Sequence, residues 1–166
     1  DYSHRLASML NVEITPVNIS DWERNHTSFD LKKLDPYFHK QYDIVILRLG
    51  ENVLNLVSFK ESVLHLLDYI ETKSPSSKII ITGRFWRNEV VDQVLLEVAD
   101  EKKILFVKLS HLDVAENLSY LGAKVYNEKG SAYQVTHQDV ANHPGDLGMQ
   151  KIAECIYDKI IANQSP

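Results

Sequence analysis

The stretch DVANHPGDLG (139–148) sets His143 among turn-formers and acids, immediately before the apolar-periodic run MQKIAECIYDKII. A helix start needs one capping group, and Asp146 is expected to supply it by accepting from the first free N–H groups. That role accounts for Asp146 and Pro144 but leaves His143 and Asp139 without a purpose. A lone loop histidine is usually just solvated. To act as a general base it needs a nucleophile on one ring nitrogen and an orienting acid on the other. Asp139 is the near candidate for that acid.

A second stretch, RLGENV (48–53), puts Gly50, Glu51 and Asn52 just past a strongly apolar run. Glycine lets the backbone turn sharply there, and the Asn52 amide then stands ready as a donor to a developing oxyanion. The same asparagine also reads as an ordinary loop cap. Glu51 reads as a surface carboxylate or the partner of a nearby arginine rather than as a catalytic acid.

These groups can meet only on a scaffold. Helical spacing predicts helices over 2–10, 58–72, 88–101 and 147–162, the last with Leu147, Ile152, Ile156, Ile160 and Ile161 on its core side. Runs of β-branched and aliphatic residues predict strands at 12–20, 42–50, 77–86 and 103–112. DWERNHTSFD reads as loop, LKKLDPYFHKQ as a Pro-interrupted helical piece, and 113–142 as a long loop with a short helical turn. Near-continuous apolar strands alternating with helices imply an α/β fold with a parallel sheet covered on both faces. Ligands in such folds bind beyond the carboxyl ends of the strands, which places the chemistry at 18–24, 50–53, 84–88 and 137–146.

Composition narrows the classes. The 166 residues suit one domain over 1–166, and 44% hydrophobic with 25% charged residues is ordinary for a globular chain. A net charge of −5 without a basic run disfavours nucleic acid as a partner, because phosphate neutralisation needs clustered Lys and Arg. No apolar stretch approaches the roughly 20 residues that span a bilayer, so no membrane partner is expected. The single cysteine, Cys155, excludes an internal disulfide and is expected on the core side of the last helix. His26, His39, His65, His111 and His137 lack metal-ligand spacing, so no metal site is expected.

Taken together, a buried strand ending in G-x-N, two further βα units and His-Pro before a final helix resemble the SGNH (GDSL-type) hydrolase family. LRLGENV resembles its oxyanion-Asn block, and DVANHPGDLGMQKIAE its final block. The resemblance implies a three-layer, flavodoxin-like fold and an ester hydrolase, in its carbohydrate-esterase-like branch an O-acetyl esterase. It places the base at His143, the triad acid at Asp139 and an oxyanion donor at Asn52. TPVNISDWERN resembles the second block and puts Asn18 where the family has an oxyanion glycine. Asparagine tolerates positive φ, so its backbone N–H fits that role. No cofactor is implied.

Two departures stand out. The family's Asp precedes its His by three residues, whereas position 140 is Val and Asp139 lies four before. No G-D-S-like stretch occurs, so the nucleophilic serine and the first strand are expected upstream of residue 1, supplied by a preceding segment or a separate chain. An unpaired neighbouring strand would leave backbone groups unsatisfied, at about 1–3 kcal/mol each. Trp22, Trp86 and Arg84 fall at predicted strand ends, where rings can stack on sugars and guanidinium can pair carboxylates; the aromatics equally suit the rim of the core. The expected partner is a small-molecule or carbohydrate ester, and the alternative is a non-catalytic carbohydrate-binding or interaction module on the same scaffold.

Overall fold

A computed structural model describes residues 1–126 and 130–163. In chain order the elements are α1 (Tyr2–Leu10), α2 (Ser20–Asn25), a 3-10 helix at Leu31–Tyr37, β1 (Ile44–Arg48), α3 (Phe59–Lys73), β2 (Lys78–Thr82), α4 (Glu89–Lys102) and β3 (Leu105–Val107). Short 3-10 turns at Ser110–Leu112 and Ala115–Asn117 lead to β4 (Lys124–Tyr126), β5 (Ala132–Gln134), α5 (Gln138–Ala141) and α6 (Asp146–Ala162). The chain forms two compact units: Thr15–Ser110, and Asp1–Ile14 with the chain from His111 onward.

The Thr15–Ser110 unit holds a parallel sheet in the order β1-β2-β3, with Leu47 opposite Ile81 and Ile81 opposite Phe106. Parallel neighbours need crossover connections, and α3 and α4 supply them. The apolar positions of α3 (Phe59, Val63, Leu66, Leu67, Ile70) recur at 3.6-residue spacing and are all buried. Together with Val91, Leu95 and Val98 of α4 they pack on Leu47, Ile79 and Ile81. Ile80, on the other face of β2, is equally buried, as a parallel sheet requires. Asn88 starts α4 by accepting from Val91 N–H, and Lys103 ends it in the left-handed region. The expected α/β architecture of parallel strands flanked by helices is therefore present.

Residues 12–20 do not form the expected strand. β-branched side chains give propensity only, and Pro16 withholds one ladder donor. Val12 is half exposed and no ladder includes the segment among the described residues. The expected loop at 21–30 instead begins with α2, opened by Asn18 Oδ1, which accepts from Ser20 N–H at 2.9 Å.

In the other unit, α1 packs on α6. Asp1 caps α1 through the N–H groups of Ser3 and His4, and Asn11 closes it at φ 54°. Asp146 is not the N-cap of α6. Gly145 occupies the cap position, and the Asp146 carboxylate in the first turn receives Arg5 at 2.9 Å. Its negative charge still favours the helix start. The buried stripe of α6 is Gly148, Ile152, Ala153, Ile156 and Ile160. Leu147 and Ile161, expected in the core, lie off that stripe and are 47% and 42% exposed. Cys155 is half-buried, its Sγ 3.8 Å from His111 Nε2, and burial pushes its thiol pKa up. The expected loop at 113–142 contains the β4–β5 hairpin, whose six strand residues are all exposed.

Candidate functional site

In the Thr15–Ser110 unit, Gly50 to Asn52 follow the carboxyl end of β1. Gly50 sits at φ +101°, and a Cβ there would meet Val91 Cγ1 at 2.7 Å, so the turn admits no other residue without strain. The turn presents Gly50 N–H to Glu23 of α2, whose Oε1 accepts it at 2.5 Å. The same carboxylate accepts from Asn52 Nδ2 through Oε2 at 2.7 Å. On the other end of the amide, Arg24 donates to Asn52 Oδ1 at 3.2 Å. Arginine can only donate and an ionised carboxylate can only accept, so the orientation of the amide is determined. Glu23 is 3% exposed.

Glu51 faces the other way. Arg48 donates to it at 3.0 Å, Arg84 Nε at 3.3 Å and Phe85 N–H at 2.8 Å. The partner-of-arginine reading of Glu51 holds, and Arg84 is an ion-pair member with its side chain 18% exposed. This pairing ties the loop after β1 to the loop after β2. Glu51→Ala is expected to destabilise by about 3 kcal/mol, because two largely desolvated guanidiniums lose their counter-charge. Glu51→Gln should cost less, keeping an acceptor for Phe85 N–H; urea denaturation measures both.

Trp22 is 1% exposed and packs in the core, 6.3 Å from the Phe59 ring and 6.1 Å from His26. A ring so covered offers no face to a sugar, so the expected substrate contact is corrected to a core role. Trp86 is half-buried and meets Phe85 edge-on at 5.8 Å. His26 engages Ser62 Oγ and Asn55 C=O with its two ring nitrogens and is a satisfied core residue. Asn18 is not among the residues at positive φ, and its side chain serves the start of α2. The conformation expected of an oxyanion glycine is absent there.

In the other unit, His143 follows α5. Its backbone N–H donates to Val140 C=O at 3.1 Å and its C=O accepts from Ser119 N–H at 2.8 Å. The imidazole Nδ1 lies 2.6 Å from Asp139 C=O. A carbonyl can only accept, so Nδ1 carries the hydrogen and the neutral ring keeps its lone pair on Nε2. Asp139 thus meets the ring through its main chain. Its carboxylate is 86% exposed and lies 3.6 Å from His137 Nδ1. The helical offset explains the change: one α-turn brings the carbonyl of residue i beside residue i+4, while the side chain of i points outward. The sequence missed Glu23, because DWERN read as loop and the burial of an acid leaves no local signal.

Among the described residues no group of three or more His, Cys, Asp or Glu is placed to hold a metal ion, and no helix is long and apolar enough to cross a membrane. No family model matches the chain, and no curated protein matches it. Solved structures do. One, described as a possible lipase from Chitinophaga pinensis, aligns at TM-score 0.65 and 15% identity, covering 97% of this chain and 88% of that one. An active-site mutant of a family two carbohydrate esterase from Clostridium thermocellum aligns at TM-score 0.57 and 15% identity, covering 98% of this chain and 53% of that one. At such identity the likeness establishes architecture. The protein has the α/β fold of these structures, a parallel sheet flanked by helices in the flavodoxin-like manner.

Proposed function

We propose that the protein is an ester hydrolase of the serine-dependent SGNH type, acting on O-acetylated carbohydrate. The observation that carries this reading is the His143 ring, held through Nδ1 by Asp139 C=O so that Nε2 remains a base. A serine hydroxyl attacks the ester carbonyl carbon while His143 Nε2 takes its proton. The tetrahedral intermediate collapses, expelling the alcohol, which receives that proton from His143. Water then attacks the acyl-serine with His143 again as base, releasing acetate and restoring the serine. Asn52 Nδ2–H is the side-chain donor to the oxyanion. The carbohydrate preference rests on the sequence resemblance and on the likeness to a carbohydrate esterase.

Asn52→Ala is expected to lower kcat on p-nitrophenyl acetate by about 10²–10³-fold with little change in KM, the cost of one oxyanion donor. Equal kcat in the variant removes Asn52 from the reaction. Acetate release from acetylated xylan, compared with p-nitrophenyl acetate, tests the carbohydrate preference. Hydrolysis of the aryl ester alone would refute it.

A further inference from the structure

Resting on the hydrolase reading above, we infer that Glu23 is the positioning residue of this site: it fixes which end of the Asn52 amide faces the substrate. Three observations carry this. Glu23 is a carboxylate with only 3% of its surface exposed, on a helix of six residues. Its partners are two neutral N–H donors, one on each oxygen: Gly50 N–H and Asn52 Nδ2. Burying a carboxylate is costly unless both oxygens are satisfied, so the pair of donors and the acid define one another's places. The third observation is the opposite clamp, where Arg24 donates to Asn52 Oδ1.

The amide of asparagine has two nearly isosteric ends, and rotating it by a half-turn would present an acceptor instead of a donor to an oxyanion. Glu23 and Arg24 make that rotation unfavourable from both sides. One Nδ2 hydrogen is spent on Glu23, and the other is left to donate. Donation from Arg24 to Oδ1 polarises the amide and strengthens the remaining N–H.

This pattern makes a specific substitution informative. Glutamine has one acceptor where glutamate has two. In Glu23→Gln the backbone N–H of Gly50 cannot turn, so it keeps the glutamine oxygen and the new NH₂ faces Asn52. Whichever way the Asn52 amide is then turned, one donor faces another, Gln NH₂ on one side or Arg24 on the other, and Nδ2 is pushed from its former place. Glu23→Gln is expected to lower kcat of the intact protein on p-nitrophenyl acetate about as much as Asn52→Ala does, about 10²-fold or more, with KM changed by less than about twofold. The double variant Glu23→Gln/Asn52→Asp restores complementary partners for the glutamine NH₂ and Arg24. It should recover thermal stability, and on the Asn52→Ala background Glu23→Gln should lower kcat no further, whereas a merely structural glutamate would lower it again.

The outcomes separate the claims. Wild-type hydrolysis with both variants folded and slow bears the positioning role out. Wild-type hydrolysis that survives in Glu23→Gln, or returns in the double variant, overturns it and leaves ester hydrolysis standing. A wild-type protein that releases no p-nitrophenol overturns the hydrolase reading and the positioning role with it. Should Glu23→Gln fail to fold, Glu23→Gln/Asn52→Ala decides: folded with the kcat of Asn52→Ala supports the role, folded and slower still removes it.

Discussion

His143→Ala is expected to reduce p-nitrophenyl acetate hydrolysis by the intact protein by about 10³–10⁴-fold, while Asp139→Asn changes it by less than about threefold. General-base catalysis contributes up to about 10⁴, and His143 is the base in the proposed reaction. The asymmetry with Asp139 is the sharper part. A triad carboxylate holds its histidine and stabilises the imidazolium, and its amide replacement costs about 10⁴ by imposing the wrong tautomer. Here the acceptor on Nδ1 is the main-chain carbonyl of Asp139, which Asp139→Asn leaves in place. The carboxylate itself is exposed and beside His137. Steady-state rates of the two variants, with circular dichroism to confirm folding, give the answer. Equal and severe losses in both would return the orienting role to the Asp139 side chain.

Gly148→Ala is expected to destabilise the fold as much as Glu51→Ala does. Gly148 lies in the first turn of α6, and a Cβ there would meet the main-chain oxygen of Asn117 at 2.2 Å. Backbone cannot yield as a flexible side chain can. Asn117 C=O also accepts from Gly145 N–H at 2.8 Å, and Asn117 Nδ2 donates to Leu112 C=O at 2.8 Å while the residue is 1% exposed. Displacing this carbonyl therefore breaks the seat of the α6 N-terminus, directly beside His143. Overpacking of this kind costs about 3 kcal/mol. For a chain of this size that corresponds to a drop in Tm of about 10 °C. A control at an exposed position of the same helix, Asp158→Ala, should move Tm by no more than about 2 °C. Unchanged Tm in Gly148→Ala would show that the helix start relaxes freely.

The parallel strands and the three long helices were legible because their patterns are strong: Ile44–Leu47, the buried periodicity of α3, and the stripe of α6. Asn52 and His143 stand out in the sequence as candidates for a different reason, as polar residue types just past a strand and just before a helix. Of the two readings of Glu51, a surface carboxylate or an arginine partner, the structure shows the second. Other features could not be read locally. The β4–β5 hairpin buries no face, so it carries no alternation. The segment 12–20 has strand propensity, but a ladder depends on a partner far along the chain. Glu23 was hidden by the same logic, since a buried acid is recognisable only once Gly50 and Asn52 are seen to meet it. Trp22 shows the converse error: a large aromatic near a strand end has enough apolar surface to be drawn wholly inside.

Ester hydrolysis through a serine and His143 is the step on which the proposed function stands. Its most direct test is the rate of p-nitrophenol release from p-nitrophenyl acetate by the intact wild-type protein, with and without a serine-directed phosphonate. Saturable turnover that the phosphonate abolishes is expected. Release no faster than in buffer, or turnover indifferent to the phosphonate, would contradict it.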